Sequence, residues 1–321
     1  MKTGIENMRL DVSVVMSVYN GDRYLRSSIE SVLAQEGVSF EFIAVDDGST
    51  DDSPRILAEL EARDPRLRVI KQENTGLTQA LIRGCAEARG EFIARHDADD
   101  VSLPGRLARQ VARLRRSTEV VFVSCWAQAI GPEDEILLEP RPPPDVAQAT
   151  RLLLRGGQGP CAHGTVMMRT EAYQAVGGYR WQFYYGQDSD LWLRLGERGG
   201  FAFVPETLYH YRVTPSSISY GRRSVQAVYG RLGHQCKRAR QAGEDEAPFL
   251  AGAAAIAGPN RRPKCRMDSV GGNYFIGSCL KARGDTRGNN YLWLAIWERP
   301  WYLRAWARLF LGLGEVSDCR H

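Results

Sequence analysis

The 321-residue chain has seven cysteines but no C-x-x-C pair among them, and their number is odd. Cys85, Cys125, Cys161, Cys236, Cys265, Cys279 and Cys319 therefore read as reduced thiols of a cytoplasmic protein, which excludes a disulfide framework and a thiolate zinc site. Long apolar runs are missing as well. The best candidate, Trp301 to Leu313, is too short to span a bilayer and is broken by Arg304 and Arg308. Met1 to Asp11 is polar, so no secretion signal is expected. A formal charge of +4 is too small to argue for a nucleic-acid partner. Neither G-x-G-x-x-G after the first apolar run nor G-x-x-x-x-G-K-[ST] occurs, so dinucleotide and P-loop readings lack their phosphate cradle. With 43% hydrophobic and 25% charged residues, the chain is an ordinary globular sequence and disorder is not expected.

What is present is alternation. Val12 to Val18 is almost wholly apolar, as in a parallel strand buried on both faces, and ends at Tyr19-Asn20-Gly21. Leu25, Ile29, Val32 and Leu33 then share one helical face. Phe40 to Val45 is a second strand, and Ser53-Pro54 opens a helix that buries Ile56, Leu57 and Leu60. Leu67 to Ile70 is a third strand, Leu77 to Ala88 a helix, and Phe92 to Ala94 a fourth strand. This order predicts an α/β class with a doubly wound, mostly parallel sheet, whose ligands collect beyond the carboxyl ends of its strands. Further along, the pattern predicts a helix over Pro104 to Arg116 with Pro at its first position. Strands are expected over Val120 to Cys125, Thr165 to Met168 and Phe201 to Val204, and a polar, aromatic tail over Tyr209 to Ser219. Beyond Gly221 the stretches are helical, Ser224 to Gln241 the clearest, and carry no motif with chemistry.

Asp97-Ala98-Asp99-Asp100 packs three carboxylates into four positions after the fourth strand. A strand running to Asp97 would send Asp97 and Asp99 to one side and Asp100 elsewhere. Two like charges so close favour a hard cation such as Mg²⁺ or Mn²⁺, which keeps positions open for phosphates, against the plainer reading of an acidic surface turn. A helix-loop-helix calcium loop is excluded, because Val101, Ser102 and Ala108 stand where its acid or amide, glycine and glutamate are required. Asp46 to Asp52 is either turn and cap chemistry or a second part of the same site. Asp188 either caps a helix bearing Leu191, Trp192 and Leu195 or is a general base at its entrance. A lone histidine such as His163 is more often structural than a substrate contact.

Four stretches in order resemble the family 2 glycosyltransferases: Ser-Val-Val-Met-Ser-Val-Tyr-Asn from Ser13, Val-Asp-Asp-Gly-Ser-Thr-Asp from Val45, Asp-Ala-Asp-Asp from Asp97, and Gln-Asp-Ser-Asp-Leu-Trp-Leu-Arg-Leu from Gln187. The resemblance covers Ser13 to Ser219. It implies an inverting enzyme of the glycosyltransferase-A fold, with a Rossmann-like nucleotide half over residues 1–110 and an acceptor half over 111–219. Residues 220–321 would then form a mainly helical extension. It further implies that Ser17, Tyr19, Asp47, Asn74, Arg83 and Asp97 line the nucleotide, with Gly76 and Gly84 in the same stretch. Asp99, with Asp97, would bind Mg²⁺ or Mn²⁺. Asp188 would be the catalytic base, and His163, Gln187 and Arg212 would lie toward the acceptor. The chain departs from the family at Gln187, where a Glu commonly precedes the base, and at Thr214, where a His often stands.

The chemistry so implied is an in-line displacement at the anomeric carbon of a nucleoside-diphosphate sugar by a hydroxyl of a saccharide or lipid-linked saccharide, in polysaccharide or glycolipid synthesis. A nucleotidyltransferase would need a Gly-rich loop where Met16-Ser17-Val18-Tyr19 stands, and a sugar-nucleotide-binding protein without turnover is the non-enzymatic alternative. Trp293, Trp297, Trp301 and Trp306 share the final basic stretch with Arg299, Arg304 and Arg308. They predict either a packed terminal helix or peripheral attachment to the cytoplasmic membrane face.

Overall fold

The computed structural model describes residues 10–215, 223–256 and 269–312. Strands β1 (Val12–Val18) and β2 (Phe40–Asp46) pair in parallel, with β3 (Leu67–Lys71) outside β2 and β4 (Phe92–Arg95) on the other side of β1. Both faces of these strands are covered, and the period of two divides their side chains between them. Val12, Val14, Met16, Phe42 and Ala44 pack against α1 (Asp22–Leu33), α2 (Ser53–Arg63) and α4 (Arg106–Arg115). Val15, Ile43, Val45 and Ile93 turn to the opposite face, where α3 (Leu77–Ala86) lies. Contact there is tight: a Cβ on Gly84 would stand 2.7 Å from Val15 Cγ1 and 3.1 Å from Val45 Cγ2.

Beyond β4 the sheet becomes mixed. Its strand order is β3-β2-β1-β4-β8-β6-β9-β5, with β7 (Ile136–Leu138) hairpinned onto β6 (Val120–Ile130). β8 (Met167–Arg169) is antiparallel to both neighbours, whereas β6 and β9 (Gly200–Arg212) form a long parallel ladder. Parallel pairing thus carries most of the sheet, as expected. α5 (Val146–Leu154), α6 (Thr170–Ala175) and α7 (Gln187–Arg198) precede β9, and β5 (Val101–Ser102) pairs with its far end.

Several boundaries differ from the sequence reading. β4 stops at Arg95, and Asp97 to Asp100 form a turn closed by Asp100 N donating to Asp97 O (3.3 Å). α4 begins at Arg106 behind Gly105, whose φ of 79° breaks the chain direction, so Pro104 is not its first position. His163–Thr165 is a single 3₁₀ turn, and the strand starts only at Met167. Tyr209 to Arg212 belong to β9, not to a tail, while Ser216 to Ser219 lie outside the described residues.

The last helices are α8 (Arg223–Ala242), α9 (Ala247–Ile256), α10 (Val270–Ala282), α11 (Gly288–Glu298) and α12 (Leu303–Phe310). α8 packs on α7, and Phe275, Ile276, Cys279 and Leu280 of α10 join Ala129, Leu137 and Val213 of the sheet in one apolar cluster. Tyr291 of α11 donates its hydroxyl hydrogen to Glu135 Oε1 (3.0 Å), fixing the helices to the β6–β7 turn.

Candidate active site

The carboxyl ends of β1, β2 and β4 deliver the three polar clusters to one edge of the sheet. Ser17 lies near the end of β1 and Tyr19 just beyond it, with Tyr19 exposed. The acidic run after β2 divides in two. Asp46 accepts from Ser49 N (3.0 Å), and Asp51 accepts from Ser53 N (3.0 Å) and Asp22 N (3.1 Å), so these two serve the turn and the helix entrances. Asp47 reaches away to the next crossover. Its Oδ1 accepts from Gln72 Nε2 and Thr75 N, both at 2.8 Å, and its Oδ2 from Gly76 N at 2.8 Å. Asp47 thereby fixes the loop that carries Asn74 and Gly76, leaving Oδ2 as the oxygen with acceptor capacity to spare. Arg83 is exposed on α3, while Gly84 beside it serves helix-to-sheet packing.

Beneath the Asp97 turn lie two arginines that strand and helix periodicity alone would place in solvent. Arg95 is fully buried, donating Nη1 to Val15 O and His96 O (2.7 Å each) and pairing Nη2 with the Asp97 carboxylate. Arg106 donates to Ser102 Oγ (2.7 Å), Arg95 O (2.5 Å) and His96 Nδ1 (3.1 Å). Since arginine can only donate, His96 accepts at Nδ1 and carries its hydrogen on Nε2 toward Ser28 Oγ (3.0 Å), as assigned from this network. Burial and the Arg106 and Arg95 charges hold its pKa well below the usual histidine range. Tyr209 of β9 completes the floor, accepting from Asp97 N (3.1 Å) and hydrogen-bonding the Asp100 carboxyl. Arg95, Arg106 and Tyr209 were not legible as site residues, because their partners are backbone carbonyls and residues far along the chain.

Burial, and then the neighbouring Asp97 charge, pushes the Asp99 carboxyl up to about 6. Asp100 is buried and accepts from Arg212 N (2.8 Å), held by the turn and not by the strand register expected for it, since β4 ends at Arg95. Arg212 itself donates to Asp99 O and Gly131 O (2.9 Å each), pairs with Asp134 (2.7 Å) and covers the Tyr24 ring at 4.2 Å. It braces the acidic turn through Nε and Nη1.

Asp188 lies in the first turn of α7, whose N-cap is Gly186 in the left-handed region at φ 75°. The cap reading is therefore corrected. Its Oδ1 accepts only locally, from Ser189 N (2.7 Å), and burial raises its pKa, with the Asp97 charge adding to the shift. Gln187 beside it is buried. His163 bonds through Nε2 to Tyr179 OH (2.6 Å) and meets Trp192 edge-on, and burial followed by the Arg95 charge lowers its pKa to about 3. It is a neutral, positioned side chain. The loop into α7 also touches the nucleotide-side loop: Thr78 Oγ1 donates to Phe183 O (3.0 Å), and a Cβ on Gly76 would stand 2.7 Å from the Tyr184 ring.

No group of three or more His, Cys, Asp and Glu able to hold a metal occurs among the described residues. The Asp99 carboxylate, whose ionisation is made costly by burial and by the Asp97 charge, still fits a hard cation that takes its remaining ligands from phosphate and water. Asp99 has the donor chemistry for it, whereas Asp97 shares its charge with Arg95.

A sheet that gathers these carboxylates beyond its parallel strand ends is the architecture of a glycosyltransferase-A enzyme. The crystal structure of S. aureus TarS residues 1–349 with UDP-GlcNAc shares it, at a TM-score of 0.58 and 14% identity, over 94% of this chain and 89% of that one. The sequence supplies the family: the Glycosyl transferase family 2 model matches residues 13–177, and the chain belongs to that family. It is 36% identical to EpsE of Bacillus subtilis, named as a glycosyltransferase, over 66% of this chain and 76% of that one. It is 26% identical to chondroitin synthase of Escherichia coli over 67% of this chain and 31% of that longer protein.

Proposed function

We propose that this glycosyltransferase performs a single inverting displacement, moving a sugar from a nucleoside-diphosphate donor to a saccharide hydroxyl in polysaccharide or glycolipid synthesis. UDP-sugars are the first donors to try, because TarS, which shares the fold, was crystallised with UDP-GlcNAc, and chondroitin synthase supports a polysaccharide product. Ser17, Tyr19, Asp47 and the loop at Asn74 receive the nucleoside, and Arg83 lies at the rim. Asp97 orients the ribose side under the hold of Arg95. When bound at Asp99 and Asp97, Mg²⁺ or Mn²⁺ would supply Lewis-acid neutralisation of the leaving diphosphate. Asp188 takes the proton from the attacking hydroxyl, a role worth typically ~10²–10⁴-fold in rate. His163 and Gln187 line the acceptor side of that carboxylate.

The observation that carries this reading is the environment of Asp188: a carboxylate in the first turn of α7 but not its N-cap, its pKa raised by burial and by the Asp97 charge. A raised pKa makes a better base and sets the acid limb of activity above the ordinary aspartate value. Asp188→Asn is expected to cut transfer at least ~10²-fold with donor affinity nearly unchanged, and to abolish that limb in kcat against pH. Near-normal transfer by the variant removes Asp188 as the base, and a product that keeps the donor's anomeric configuration removes the single displacement.

A further inference from the structure

We propose that α11, α12 and the turn between them form a membrane-docking face that lies in the plane of an anionic lipid surface. The last helix is turned inside out. Arg308 is buried, donating to Ser278 O (3.1 Å) and Gly312 O (3.3 Å), while Leu303 and Phe310 are 76% and 63% exposed. A helix packed only against its own domain places those side chains the other way round. α11 is apolar on both sides: Leu292, Ala295 and Ile296 face the core, whereas Trp293, Leu294 and Trp297 face out. Trp297 is 83% exposed and Trp301, in the turn, 75%.

One aromatic cluster joins the two helices. Trp293 meets Trp306 and Phe310 edge-on, and Trp306 stacks on Phe310 at 5.7 Å, held by its indole N–H donating to Pro300 O (2.8 Å). Large apolar patches on a monomer mark an interaction site, and tryptophan with arginine is the composition that suits headgroup depth.

Charge selects the occupant. Residues 269–312 contain six Lys and Arg against two acids, Asp285 and Glu298. Arg308 is buried, Asp285 pairs with Arg287, and Glu298 accepts from Ser269, so both acids are engaged within the protein while Arg283 and Arg304 are exposed. A second copy on this face would bring like charge against like charge, which costs affinity. Anionic lipid instead attracts each basic residue near its surface. No described helix is long and apolar enough to cross a membrane.

The test is co-sedimentation of the full chain with phosphatidylcholine vesicles, with and without phosphatidylglycerol, for the parent and for the double variant Trp297→Glu, Trp301→Glu. Both side chains are exposed, so the variant should melt as the parent does. Binding to the anionic vesicles with a blue shift of tryptophan emission is expected, falling roughly tenfold or more in the variant. Equal binding by parent and variant, or none by either, overturns the proposal. So does concentration-dependent dimerisation of the parent without lipid that the variant abolishes, since the face would then belong to a second copy.

Discussion

Asp97 and Asp99 stand two positions apart yet differ in what balances them. The Asp97 carboxylate is paired with a guanidinium that has no access to water, whereas burial raises the cost of a charge on Asp99. Removing each would therefore have a different consequence. Asp97→Ala leaves Arg95 buried without its counter-ion, a loss of the kind that costs about 3–5 kcal/mol, so it confounds binding with folding. Asp99→Ala should be tolerated and informative. A nucleoside diphosphate at a hundredfold its Kd should stabilise the parent by roughly 2.7 kcal/mol, more strongly with Mn²⁺ than without. The variant should keep only the Mn²⁺-independent part in a thermal-shift titration. A full Mn²⁺ response in the variant would take the cation away from Asp99.

Elements fall into those whose reasons are local and those whose reasons are not. β1 to β4 and the helices between them were legible because each strand is an apolar run closed by its own turn, with its covering helix next in sequence. Gly84 shows how tight that cover is. With Val15 Cγ1 2.7 Å from where its Cβ would be, Gly84→Ala should overpack the α3 interface and lose about 1–3 kcal/mol in urea unfolding. An unchanged midpoint would mean that the helix shifts freely on the sheet. The far half was less legible because its partners are distant. β5 pairs Val101 with His210, and β6 pairs Gln128 with the same residue, contacts that no window of sequence displays. Tyr209 to Arg212 look like a polar tail, yet the Tyr209 hydroxyl supports Asp97 and the Arg212 guanidinium supports Asp99 and Gly131. Of the site, the carboxylates were readable as motifs. Their supports were not, since a buried arginine satisfied by carbonyls has the same letter as one in solvent.

Across the whole molecule, the two sides of the site are joined by a packing contact. Asp47 fixes the loop at Thr75 and Gly76, Gly76 lies under Tyr184, and Thr78 holds the Phe183 carbonyl two positions before the Tyr185-Gly186 entrance to α7. The carboxylate proposed as the base thus hangs from the wall proposed to receive the donor's nucleoside. Filling that wall should steady Asp188, whereas an acceptor arriving first would meet an entrance still free to shift. The enzyme should therefore follow a compulsory sequence, donor on first and nucleoside diphosphate off last. Initial-rate data should then show the diphosphate competing with the donor but not with the acceptor. Competition with both would mean that the two substrates come and go independently, and that the Gly76–Tyr184 contact is a seam rather than a clock.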